Sequence, residues 1–234
     1  MSRLLIATSL ILAFTSFASA DRIDERYAGP TTTTQRWAQP PGGGTASAQR
    51  RVAAAPRRVL DRDAVRAKLV ANRAANLARF RDYRRAGVFP SNTYSDGKLN
   101  VWLDEAGHLC AAATIINASG QADLVARTAE QNNFIRLADV TQGPLLDWIL
   151  TSGLTHAEIV AIQEPMMRVY QEPIEPEPQP RVVDTGMRKT EDKRLVAKYR
   201  QVDASIVRNQ KASLELALDR LMARPALAWT LLES

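Results

Sequence analysis

Four residues able to do chemistry fall within seven positions of the 234-residue chain: Asp104, Glu105, His108 and Cys110, in the run DEAGHLC. If Cys110 opens a helix, the helix dipole lowers its thiol pKa, and His108 or the distant His156 serves as base. With Asp104 alongside, that describes a cysteine-dependent hydrolase or transferase. The same spacing also describes a tight turn, in which Asp104 bonds the local backbone and Gly107 takes a left-handed conformation. Cys110 is then a small buried hydrophobe, the commonest fate of an unpaired cysteine. No third, orienting residue stands at a useful distance, so the turn is the expectation. No residue is assigned a catalytic role, with Cys110, His108 and Asp104 kept as the alternative set.

Other chemistry is sparse. One cysteine and two histidines leave no multi-cysteine metal site, and zinc would need carboxylates to complete its shell. Six glycines (87, 97, 107, 120, 143 and 153) fall where elements end, and none builds a phosphate-cradling loop, so no cofactor or metal is expected. WILTSGLTHAEIVAIQ has the outline of a helix-turn-helix. Its second helix, HAEIVAIQEP, has no lysine or arginine to offer phosphates or base edges, which argues against sequence-specific nucleic-acid binding.

The elements that must position these residues begin after a leader. Arg3, an apolar run over 4–17 and Ala18-Ser19-Ala20 read as a secretory signal over 1–20, cleaved before Asp21. The run is shorter than the roughly 20 apolar residues a membrane span needs, and no later stretch approaches that length. A secreted or periplasmic protein is expected. Export leads to an oxidising compartment, yet a lone cysteine cannot pair within the chain, so the fold must rest on an apolar core. Residues 21–58 carry four prolines, four glycines and a threonine run. With almost no apolar periodicity, they are expected to be a disordered basic tail.

Residues 59–170 read as an α-rich globular domain with a short strand or hairpin. Val65, Leu69, Asn72, Asn76, Leu77, Phe80 and Tyr83 recur on one face of a helix that Asp61 caps and Gly87 ends. The two asparagines on that face are expected to bond the backbone of a loop packed there. Leu99 to Leu103 alternates as a strand, CAAATIINA reads as a helix, and another follows over 121–132. Pro144 opens a fourth helix, and Thr155 with Glu158 forms a capping box for a fifth. Residues 171–188 hold four prolines and three glutamates within QEPIEPEPQP and read as an extended linker.

Residues 189–225 are expected to form one long amphipathic helix ended by Pro225, and 226–234 a tail. Its stripe of Leu195, Tyr199, Val202 and Ile206 must pack on the first helix, on a partner, or on a second copy as a coiled-coil homodimer. Charge follows the same divisions. Basic against acidic counts are seven to three over 21–58, eight to three over 59–86, four to nine over 87–170 and ten to six over 182–225, within a net +6. The basic first helix is therefore expected to pack on the acidic middle.

VWLDEAGHLCAAATIINASG, EQNNFIRLADV and LLDWILTSGLTHAEIVAIQEP together resemble a block of uncharacterised exported bacterial proteins. There a strand with D-x-x-G-x-x-C-A is followed by N-N, then W and S-G-L-T-x-x-E with I-Q-P. The matching residues are Asp104, Gly107, Cys110, Ala111, Asn132, Asn133, Trp148, Ser152, Gly153, Leu154, Thr155 and Glu158. The likeness spans roughly residues 60–165, one domain's worth of chain, and departs where Glu164 separates Gln163 from Pro165. It implies a shared domain and export, and no activity. Together these readings point to a non-enzymatic exported protein that contacts an unknown protein or envelope component.

Overall fold

Residues 59–171 and 182–234 are described by a computed structural model, mainly helical with one small two-stranded antiparallel sheet. The expected leader over 1–20, the tail over 21–58 and residues 172–181 of the linker lie outside the described residues.

The helices are α1 (Arg62–Ala86), α2 (Ala111–Ala118), α3 (Ala122–Asn132), α4 (Pro144–Thr151), α5 (His156–Ile162), α6 (Thr185–Arg208), α7 (Gln210–Met222) and α8 (Pro225–Glu233). α1 starts where Asp61 accepts hydrogen bonds from the Asp63 and Ala64 amides, and stops where Gly87 turns left-handed at φ 67°. α2 is a helix despite its two isoleucines: Ala111, Ala112, Ala113, Ile115 and Ile116 are fully buried in the centre of the molecule. Alanine there lets neighbouring helices approach closely while costing no helix propensity. No single helix among the described residues is long and apolar enough to cross a membrane.

Two cores line the two halves of α1. Leu77, Phe80 and Tyr83 face the larger, built with α2, α3, α5 and the stripe of α6; Val65 and Leu69 face a smaller one made with Leu218, Leu221, Ala228 and Leu231 of α7 and α8. This division corrects the expected single helix over 189–225. The chain breaks at Asn209 into α6 and α7, so Leu195, Tyr199, Val202 and Ile206 serve one core while Leu218 and Leu221 serve the other. A straight helix could not turn both stripes onto α1. The expected tail over 226–234 is corrected too, because Pro225 is the first residue of α8 rather than a terminator, a position that suits its fixed φ. The linker ends early: Val183 bridges Tyr170, and Asp184 caps α6 through the Met187 amide, so residues 185–188 are helical.

The expected strand over 99–103 also shrinks. β1 (Lys98–Leu99) pairs with β2 (Met166–Met167), Lys98 opposite Met167 and Leu99 opposite Met166. Trp102 then leaves the sheet to bury its ring completely, its indole N–H donating to the Val125 carbonyl at 3.1 Å. Burying so large a ring outweighs two further rungs of a short ladder. Nor do the cations of α1 pair mainly with the acidic middle. Arg62 and Arg66 reach Glu215 and Asp219 of α7, Arg81 and Arg84 reach Asp203 of α6, and among the described residues Arg73 alone pairs with an acid of residues 87–170, Glu158.

Candidate binding groove

Asp104 and His108 do converge, around a turn rather than around the thiol. Asp104 Oδ1 accepts the amides of Ala106 at 3.0 Å and His108 at 2.8 Å, and Oδ2 accepts the Ser91 amide at 2.9 Å. The His108 ring Nδ1 lies 3.1 Å from the same Oδ2. Gly107 takes φ 85° and Leu103 bridges Leu109, so the DEAGHL run is a closed β-turn. Every oxygen of Asp104 is occupied by backbone before a substrate arrives.

Cys110 follows that turn and is buried. It is the N-cap of α2, and its sulfur accepts a long contact from the Ala113 amide at 3.5 Å. The helix N-terminus does pull its pKa down, but burial acts more strongly, and the thiol is pushed up to about 12 at 1% exposure. This overturns the alternative premise that the dipole would leave a reactive thiolate. Burial likewise pushes up the phenols of Tyr83 and Tyr199 nearby. His156 is engaged elsewhere, its Nε2 2.6 Å from the Leu137 carbonyl.

The residues of the S-G-L-T-x-x-E run are equally occupied. Ser152 donates to the Ile149 carbonyl and accepts the Leu154 amide, turning the chain between α4 and α5. Gly153 lies so close to α1 that a Cβ would sit 2.1 Å from the Leu69 carbonyl oxygen. Thr155 and Glu158 form the capping box. Glu158 also makes a two-pronged pair with Arg73, at 2.7 and 2.8 Å, while Arg73 donates to the carbonyls of Gly153 and Ile206. One buried guanidinium therefore joins α1, the α4–α5 turn, α5 and the end of α6. Asn72 and Asn76 complete the seam by donating to the Thr151 and Ser152 carbonyls, each at 2.9 Å.

The remaining matched residues behave alike. Asn133 exchanges two hydrogen bonds with the Leu103 backbone, Asn132 accepts the Phe134 amide, and the Trp148 indole donates to Ser119. Gln163 clamps Leu137 and Ile135 through its amide. Glu164 takes three cations, Arg194 at 2.6 Å, Lys98 at 3.4 Å and Lys198 at 3.8 Å, tying β1 and α6 together. Among the described residues no group of three or more histidine, cysteine, aspartate or glutamate side chains could hold a metal ion.

Among the open depressions of the described residues is a surface groove of about 620 Å³ between α5, α6 and α7, which the sequence did not announce. Ala157 and Ala161 form one wall, Val202 and Ile206 the floor, and Ala212 and Leu216 the other wall. Leu216 is 44% exposed, large for a leucine at a wall. Lys198 stands on the rim, and Lys211 lies just past Asn209, where α6 meets α7. Only the break at Asn209 opens this space, so a reading with one continuous helix could not have found it. Comparisons with protein-family models, curated proteins and solved structures find no match to this chain.

Proposed function

We propose that the chain is an exported protein, secreted or periplasmic, that acts without catalysis by holding an apolar, acid-flanked segment of another protein of the envelope in the groove between α5, α6 and α7. One observation carries this reading. Asp104, His108, His156 and Cys110, which the sequence marks for chemistry, are engaged within the protein, whereas the groove leaves apolar surface unpartnered. Alanines four apart on α5 make a smooth wall against which a helical or extended segment can lie closely, and the exposed Leu216 on the opposite wall meets its apolar side chains. Lys198 on the rim, with Lys211 close by past Asn209, favours a segment flanked by aspartate or glutamate. Export is supported by Arg3, the apolar run over 4–17 and the small residues 18–20.

A photo-reactive side chain placed at Ala161 and expressed in the native host should cross-link a discrete envelope protein, and the recovered chain should begin at Asp21. The same group at Glu130, remote from the groove, should capture nothing, and Leu216→Asp should abolish capture at Ala161. Equal capture at both positions, or an intact Met1 terminus, would contradict the proposal. The cysteine-hydrolase alternative requires the Cys110 thiol to reach solvent, which burial opposes.

A further inference from the structure

The acids of α6 are all engaged within the protein: Glu191 with Arg194, Asp192 with Arg188, and Asp203 with Arg81 and Arg84. Its outward cations are not. Lys189, Lys193, Arg200 and Arg208 are exposed, and none makes a hydrogen bond or ion pair among the described residues. At 3.6 residues per turn, the four fall within an arc of about 100°, roughly opposite the buried Leu195, Tyr199, Val202 and Ile206. With a rise of about 1.5 Å per residue, the row runs straight for about 28 Å. Between the cations the same face carries Ala197, Ala204 and Val207, the last 48% exposed. Beside Lys193 and Arg200 a shallow depression of about 350 Å³ is floored by Phe89 and Val196, and Val88 next to it is 51% exposed.

We propose that this outward face of α6 docks the protein on an anionic lipid bilayer. A straight row on one side of a rigid helix can bring all four cations to a plane of negative headgroups at once. The valines among them can rest on the headgroup boundary, a contact that a soluble polyanion would not use. Single-stranded nucleic acid is a poorer fit, because it binds through exposed aromatic rings, and the rings nearest this face, Phe89 and Tyr199, are buried. Lys189, Lys193 and Arg200 of this face do not line the groove, and the groove's rim residue Lys198 takes no part.

Flotation of the full chain with vesicles tests the proposal, comparing phosphatidylcholine alone with an equimolar mixture of phosphatidylcholine and phosphatidylglycerol. The quantity read is the extra binding to the mixed vesicles, which sets aside any insertion of the apolar run over 4–17. It should vanish on going from 0.1 M to 1 M salt, as the screening length falls from about 10 Å to about 3 Å. The triple variant Lys189→Glu, Lys193→Glu, Arg200→Glu should bind the mixed vesicles at least about a hundredfold more weakly, with an unchanged thermal transition, since none of the three has a partner to lose. Should the triple variant melt early, Lys193→Gln and Arg200→Gln singly should each weaken binding about fivefold. Binding that survives these substitutions would assign the attraction to the basic residues of 21–58 and overturn the proposal. No extra binding to mixed vesicles, or tighter binding to duplex DNA than to them, would also overturn it.

Discussion

A chain ending at Pro180 is expected to lose its cooperative thermal transition. Such a fragment keeps α1 to α5 but removes Leu195, Tyr199, Val202 and Ile206 from the larger core, each 6% exposed or less. Burying a large apolar side chain is worth about 1.5–3 kcal/mol, so these four contribute roughly 6–12 kcal/mol, comparable with the 5–15 kcal/mol that stabilises a typical domain. The cut also uncovers Phe80 and Phe89, whose rings lie 5.5 and 5.6 Å from that of Tyr199. Val65 and Leu69 lose the whole smaller core with it. Melting followed by circular dichroism checks this, and a fragment melting like the full chain would show that α6 is an appendage.

Removing one partner of the buried ion pair should have the next largest effect. Arg73→Ala strands the Glu158 carboxylate, which is buried, and leaves the Gly153 and Ile206 carbonyls without their donor. Losing half of a buried pair costs about 3–5 kcal/mol, and the denaturation midpoint should fall accordingly. The double variant Arg73→Met with Glu158→Leu should recover much of that loss, because no charge is left buried. The pair also sets a pH dependence. Burial raises the Glu158 pKa, but the hydrogen bonds from Arg73 and the Thr155 amide and the Arg73 charge outweigh it, leaving it below its ordinary 4.5. A depressed carboxyl binds fewer protons folded than unfolded. Its stabilisation is therefore complete above about pH 4.5 and lost as the pH falls through the lower folded value. Arg73→Ala should lose that acid-side dependence, and a small, pH-independent effect would contradict the brace.

Local signals carried far in this chain. The Asp61 cap, the Gly87 stop, the Thr155–Glu158 box and the Asp104 turn are each set by residues within a few positions, and each stands where its residues put it. The asparagines of α1 were legible for a similar reason, since a polar amide on an apolar face demands a backbone partner. Arg73 offered the same clue. It lies four residues after Leu69 and four before Leu77, on the apolar face, so a buried guanidinium with an acidic partner was readable there. What could not be read depends on contacts distant in sequence. The break at Asn209 exists because two cores face two halves of α1, and no local breaker announces it. Pro225 is locally ambiguous, since proline suits both the position after one helix and the first of the next. The groove inherits its invisibility from that break.

Asp104, His108, His156 and Cys110 brace the fold, and the alkylation rate of Cys110 tests this most directly. With Cys110 1% exposed and its thiol pKa pushed up to about 12, iodoacetamide near neutral pH should modify the folded protein on the order of a thousandfold or more slowly than the denatured chain. Denaturant should release the full reactivity of the one thiol. Rapid, stoichiometric labelling of the folded protein would mean that the thiol reaches solvent as a thiolate, and would contradict the account.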